Sequence, residues 1–210
     1  MRHGTAALVI ALVVISWCAT ERLNSQTRAD WDWTNKRFGS VLDVLMPLQS
    51  DRGGVYVSYR ANKDFYTNTP EYWFTIGIER DEKQQGSRPY LSAHVRVAQP
   101  ISIYDQLMAI HRDDPAAQDT FLEKRVKLQS LDLTETKCPA IKVQLEKLKS
   151  FPLKLPNFTF DYIIFHLMIH AFYIKGMDGD ARIMLIDVRN PLVRWAQDTR
   201  QMFDGCAKPH

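Results

Sequence analysis

His166 and His170 stand four residues apart, the one histidine spacing in the chain that suits a shared metal ion. On a helix, side chains four apart are neighbours and could both bind zinc. On a strand the two residues would lie about 13 Å apart, at ~3.3 Å per residue, and could not share one ion. The zincin motif also needs a glutamate directly after the first histidine, where this chain has Leu167. We therefore predict no metal site and no cofactor.

Ser92 and His94 fall on the same face of a predicted strand, and acyl-transfer enzymes combine these residue types with an acid. That chemistry needs the serine on a sharp turn, and the chain has no Gly-x-Ser-x-Gly motif. We therefore predict no catalytic residue. The alternative is a small hydrolase whose site gathers His94, His166 and His170 in a cleft with an acid.

Several aromatic residues fall in or near predicted loops and on one outer strand face. They could form a recognition patch, because amphipathic rings supply contact area at a low entropic cost. They could equally close the sheet against the first helix, and this core role is the favoured one. The candidate recognition residues are Trp31, Trp33, Tyr66 and Trp73.

Residues 6–19 form a continuous apolar stretch directly after a basic start at Arg2. The stretch is shorter than the roughly 20 residues that a membrane-spanning helix needs. It is typical of a secretory signal peptide. The segment could be a leader that is removed, an anchor that is not cleaved, or part of a signal for a lipid anchor on Cys18. We expect an exported protein, periplasmic or extracellular, or alternatively one anchored in the membrane by this segment.

The chain has three cysteines, and removing or lipidating Cys18 leaves the even pair Cys138 and Cys206. In an oxidising compartment an even pair indicates a disulfide, which we favour over two free thiols. Each of the two cysteines falls at a predicted helix end. The bond would therefore fasten the last helix to a helix in the middle of the chain.

Hydrophobic spacing predicts the elements that position these residues. The predicted helices begin near residue 31, at residue 103, at Asp114-Pro115 (ending near Leu128), at Pro139 and at Pro191. The predicted strands lie near residues 55–60, 74–78, 91–97 and 182–186. Residues 158–174 could be helix or strand, and their content of Ile, Phe and Tyr favours a strand that forms a hairpin with the next one.

These elements predict an α+β fold with an antiparallel sheet of about five strands and helices packed mainly on one face. Residues 1–20 would be a signal peptide or N-terminal anchor, 21–30 a polar spacer, and 31–206 a single globular domain.

Charge excludes one class of partner. The 210 residues carry 27 Lys and Arg against 24 Asp and Glu, spread without the basic stripe that nucleic acid binding needs. The expected function is a non-catalytic binding or structural module, with the small exported hydrolase as the alternative. Its partner would be a protein or a small molecule, and it would contact a membrane only through a retained N-terminal segment.

Overall fold

The computed structural model describes residues 28–48, 54–62, 70–80, 88–116, 121–151, 168–175, 180–185 and 189–207. The helices are α1 (residues 28–45), α2 (Ile103–Asp113), α3 (Leu122–Arg125), α4 (Ala140–Lys149) and α5 (Pro191–Cys206). The strands are β1 (Val55–Asn62), β2 (Tyr72–Glu79), β3 (Tyr90–Ala98), β4 (Leu128–Thr134), β5 (Ile169–Lys175) and β6 (Asp180–Leu185). The predicted leader, Cys18, Tyr66 and His166 lie outside the described residues.

The strands form one antiparallel sheet in the order β4-β3-β2-β1-β5-β6, which confirms the predicted α+β fold. β1, β2 and β3 follow one another as a meander, as their short connections predict. β5 and β6 form the predicted hairpin, so the described part of residues 158–174 is a strand from Ile169 onward.

The sheet has six strands because β4 lies in a segment for which no strand was predicted, and the prediction of a helix at residues 114–128 was also wrong. Of the long helix expected there, only the single turn α3 exists among the described residues, and Leu128 begins strand β4. The polar residues Ser130 and Asp132 alternate with Leu131 and Leu133, a period of two that indicates a strand. β4 pairs with β3 along one edge of the sheet.

The first face of the sheet is apolar and packs against α4 and α5. Alternate strand residues point to this face, and Phe74 lies at its centre. The Phe74 ring packs edge-on against Trp195 at 5.9 Å and Phe203 at 5.4 Å, both in α5. Ile141 and Leu145 of α4 complete this core.

The second face packs against α1, so the helices are not confined mainly to one face as predicted. Trp73 of β2 points away from its neighbour Phe74 and lies among Val41, Leu42 and Met46 of α1. Leu107 of α2 belongs to the same smaller core. No helix in the described part of the chain is both long and apolar enough to span a membrane.

Helix α1 includes residues 28–30, which the sequence assigned to the polar spacer. Asp30 is only 6 % exposed. Its carboxylate lies 3.6 Å from Nε2 of His111 and 3.4 Å from Nε of Arg112, both in the last turn of α2. Basic side chains there also favour the helix dipole of α2. These contacts fasten α1 to α2.

We predict that Asp30→Asn lowers the free energy of unfolding by about 1 kcal/mol, because it removes a partly buried charge from these contacts. Asp32→Asn is the matched control, since Asp32 is an exposed residue of the same helix. Urea denaturation of both variants measures the difference. Equal stability of the two variants would contradict a role for Asp30 in holding α1.

A disulfide joins Cys138 and Cys206, as predicted, with their Cα atoms 5.7 Å apart. Cys138 lies just before α4 and Cys206 is the last residue of α5. The bond therefore links the two helices that cover the first face of the sheet.

We predict that the double variant Cys138→Ala/Cys206→Ala loses about 4 kcal/mol of stability, because the disulfide closes a loop of 68 residues in the unfolded chain. Urea denaturation measures the loss, and the reduced wild-type protein should show a similar one. A loss below about 1 kcal/mol would show that the bond adds little to the packing of α4 and α5.

Candidate ligand-binding groove

A groove of about 390 Å³ lies on the second face of the sheet, beside the C-terminal end of α1. Side chains of a strand alternate between faces, so every second residue of β2, β3 and β4 reaches it. The polar side chains that line it are Thr75 and Glu79 from β2, Ser92, His94 and Arg96 from β3, and Ser130 and Asp132 from β4. Val44 and Pro47 form its apolar wall at the end of α1.

Close approach of the backbone shapes one side of the groove at Gly77. A Cβ atom at this position would lie 2.7 Å from the carbonyl oxygen of Gly54, so only glycine fits. Gly54 has a φ of 108°, which glycine adopts without strain. Its carbonyl accepts a hydrogen bond from the Ile78 N–H at 2.8 Å. The two glycines let the start of β1 close tightly over β2.

His94 bridges two carboxylates across three strands. Its Nδ1 lies 2.7 Å from Oδ1 of Asp132, which is directly opposite on β4, and its Nε2 lies 2.6 Å from Oε1 of Glu79 on β2. Ionised carboxylates only accept hydrogen bonds, so both ring nitrogens must donate. The geometry therefore favours the doubly protonated imidazolium form of His94.

The same contacts raise the pKa of His94 above its ordinary value. Desolvation is the largest single influence and opposes the charged ring. The hydrogen bonds to Asp132 and Glu79, together with the attraction of their charges, outweigh it. The side chain of His94 is 27 % exposed, so solvent screens part of this effect.

Two hydroxyl side chains reach the groove from β2 and β3. Thr75 and Ser92 are each only 3 % exposed, and both line the groove. A hydroxyl group can both donate and accept hydrogen bonds, so these side chains offer either kind of contact to a bound molecule.

Arg96 marks the end of the groove nearest α1. It donates a hydrogen bond to the carbonyl oxygen of Leu45, and its guanidinium lies 5.0 Å from the centre of the Trp73 ring. The Trp73 Nε1 donates to the carbonyl oxygen of Pro47 at 2.7 Å. Trp73 is 5 % exposed. It therefore closes the sheet against α1, the core role favoured for the aromatic residues.

Among the described candidate recognition aromatics, Trp31 and Trp33 do not join Trp73 in one patch. Trp33 stacks on His111 at 4.5 Å, between α1 and α2. Trp31 is 44 % exposed. Tyr66 lies outside the described residues.

The two described histidines of the alternative hydrolase site, His94 and His170, lie on opposite faces of the sheet. His170 is 1 % exposed and belongs to the first face, where its Nδ1 lies 2.8 Å from the Tyr59 hydroxyl. His94 lies on the opposite face, and His166 lies outside the described residues. Desolvation lowers the pKa of His170, and burial raises that of Tyr59, so the tyrosine hydroxyl donates to a neutral ring.

The sequence placed Ser92 and His94 on one face of a strand but did not indicate the acids Glu79 and Asp132 beside them. Asp132 was missed because β4 was not recognised. The alternation of polar and apolar residues in β4 is the signal that would have placed Asp132 and Ser130 on one face. No group of three or more His, Cys, Asp or Glu suited to a metal ion occurs among the described residues.

Comparisons with known proteins return no match: no protein-family model, no curated protein and no solved structure matches this chain.

The pKa shifts of His94 and His170 predict opposite effects of pH on the stability of the fold. The raised pKa of His94 adds stability below the ordinary value of about 6.5, and this stability is lost as the pH rises through the folded-state pKa. The lowered pKa of His170 adds stability above that ordinary value, which is lost as the pH falls below it.

We therefore expect the free energy of unfolding of His94→Gln to fall less than that of the wild type as the pH rises. The free energy of unfolding of His170→Asn should fall less than that of the wild type as the pH decreases. Urea denaturation across the pH range measures both. If the free energy of unfolding of His94→Gln fell with rising pH as much as that of the wild type, the imidazolium bridge would be contradicted.

Proposed function

We propose that this chain is a non-catalytic ligand-binding module that acts outside the cytoplasm, with the groove on the second face of the sheet as its site. The bridge from His94 to Glu79 and Asp132 carries the proposal. It occupies both ring nitrogens inside a groove that the hydroxyl side chains of Thr75 and Ser92 also line.

The bridge argues for binding over hydrolysis. A histidine that activates a nucleophile needs a free ring nitrogen to take the proton. Both nitrogens of His94 face carboxylates, and His170 is buried on the other face of the sheet. The groove therefore offers hydrogen-bonding groups to a ligand without a general base ready for catalysis.

The size and chemistry of the groove suit a small polar ligand. Small-molecule sites have volumes of about 300–1,000 Å³, and the groove falls at the lower end of that range with about 390 Å³. Carboxylates and hydroxyl groups line one part of it, and Val44 and Pro47 provide an apolar wall at another.

Two features support a function outside the cytoplasm. The disulfide between Cys138 and Cys206 is of a kind that persists in oxidising compartments such as the periplasm or the extracellular space. The apolar segment at residues 6–19 is typical of a leader that directs export.

We predict that at least one of three small probes binds in the groove: erythritol (neutral), succinate (anionic) or butylammonium (cationic). Binding should shift the backbone NMR signals of Gly77, Ser92 and His94 saturably. Ser92→Leu should abolish these shifts, because the larger leucine side chain would fill the groove at this position. Gln129→Leu is the matched control, since Gln129 is an exposed residue of β4 that does not line the groove.

Two results would contradict this proposal. One is that no probe perturbs the groove in the wild-type protein. The other is hydrolysis of simple ester or phosphodiester substrates that is lost in His94→Gln, which would favour the hydrolase instead.

A further inference from the structure

Tyr72 and His170 lie on the first face of the sheet with Ala61 between them. Ala61 of β1 pairs with Tyr72 on β2 and with His170 on β5. Neighbouring strands lie about 4.8 Å apart, so the Cα atoms of Tyr72 and His170 are separated by about 10 Å. Phe74 and Phe172 belong to the next row of the same face. Two polar rings therefore flank a single methyl group at one end of the apolar core.

Both polar rings carry a buried atom that has no hydrogen-bond partner. Tyr72 is fully buried, and His170 is 1 % exposed. The Tyr72 hydroxyl and Nε2 of His170 make no hydrogen bond. Buried polar groups are normally paired with the protein, with water or with a bound molecule. These two atoms therefore need a partner that the described side chains around them do not supply.

The proton of the His170 ring lies on Nε2. The Tyr59 hydroxyl is 2.8 Å from Nδ1 of this ring. Burial raises the pKa of Tyr59 and lowers that of His170, so a protonated phenol meets a neutral imidazole. A neutral imidazole carries one proton, and Nδ1 accepts the hydrogen bond from Tyr59. Nε2 is therefore a donor, and together with the Tyr72 hydroxyl it makes two buried donors without an acceptor.

A positive charge lies beside these donors. The guanidinium of Arg200, in α5, is 4.5 Å from the centre of the Tyr72 ring. Burial raises the pKa of both Tyr59 and Tyr72, and the charge of Arg200 opposes the rise at each hydroxyl. Arg200 forms no ion pair within the described part of the chain. Asp204, one turn further along α5, is exposed and does not neutralise it by direct contact.

We propose that Tyr72, His170 and Arg200 bind the carboxylate group of a small ligand over Ala61. This site is on the opposite face of the sheet from the groove and does not depend on it. A carboxylate has two oxygen atoms that only accept hydrogen bonds. One oxygen accepts from Nε2 of His170 and the other from the Tyr72 hydroxyl. No covalent bond forms or breaks.

A carboxylate suits these groups better than a water molecule does. Water would accept hydrogen bonds from the two donors, but it would leave the charge of Arg200 without a counter-charge. Hydrogen bonds between a guanidinium and a carboxylate are stronger than those between neutral groups. Arg200 is only half-buried. It is therefore the member of the site that an entering anion meets first.

Acetate is the probe, with acetamide as a neutral counterpart of the same shape. The titration is followed at the ¹⁵N–¹H signal of His170 Nε2 at about pH 7.5, above the ordinary histidine pKa of about 6.5. His170→Asn identifies this signal. Acetate, added in place of chloride at constant ionic strength, should shift the signal saturably, and acetamide should leave it unchanged. The backbone signals of Gly77 and Ser92 report on the groove separately.

Tyr72→Phe removes one donor and keeps the ring. It should weaken acetate binding at least about tenfold. Without acetate its free energy of unfolding should equal or exceed that of the wild type, because the lost hydroxyl has no partner in the protein. Tyr173→Phe is the matched control, since the Tyr173 hydroxyl lies on the second face and donates to Asp180. It should bind acetate as the wild type does.

Arg200→Gln tests the role of charge. It should also weaken acetate binding at least about tenfold, because the positive charge beside the donors is lost. Arg194→Gln makes the same change of charge at an exposed position of the same helix. This control should bind acetate as the wild type does.

Three results would overturn the inference, and the first two need no variant to fold. One is an Nε2 signal that acetate leaves unmoved or that acetamide shifts equally, which would indicate a site for water or neutral molecules. Another is a His170 ring that carries its proton on Nδ1, since Nε2 would then not donate. The third is unchanged acetate binding in folded Tyr72→Phe or Arg200→Gln.

Discussion

The last carbonyl groups of α1 impose the constraint on which the second face of the sheet depends. A helix leaves its final carbonyl groups without partners inside the helix. The carbonyl groups of Leu45, which ends α1, and of Met46 and Pro47, which follow it, lie against the sheet. They accept hydrogen bonds from sheet side chains, namely Ser58, Arg60, Trp73 and Arg96. Positive charges at this end also favour the helix dipole. The second face of the sheet therefore carries arginines, whereas the first face carries aromatic core residues.

The two faces consequently have different roles. The first buries an apolar core beneath α4 and α5, whose ends the disulfide joins. The second is polar beyond the reach of α1, and the groove lies there. Burying polar groups costs free energy unless they are paired. His94 meets that cost through Glu79 and Asp132. The hydroxyl side chains of Thr75 and Ser92 line the same groove. This set of polar groups, in a groove of small-molecule size, is the main argument for a ligand.

Local signals in the sequence predicted much of the first face. Alternating residues predicted the meander, prolines marked the starts of α4 and α5, and cysteine parity predicted the disulfide. The groove could not be predicted in the same way, because it depends on pairing between distant segments. His94 and Asp132 are 38 residues apart and meet only through the register of β3 and β4. Arg60 and Arg96 resemble solvent-facing strand residues until the end of α1 is placed over them.

The protonation state of the His94 ring tests this account most directly. A ¹⁵N–¹H NMR spectrum of the histidine rings at about pH 6.5, where an unperturbed ring is half protonated, would report it. His94→Gln identifies the signals of His94. The account predicts that both ring nitrogens of His94 carry a proton in most molecules, each held by a carboxylate. A neutral ring with a single protonated nitrogen would contradict the bridge between Glu79 and Asp132.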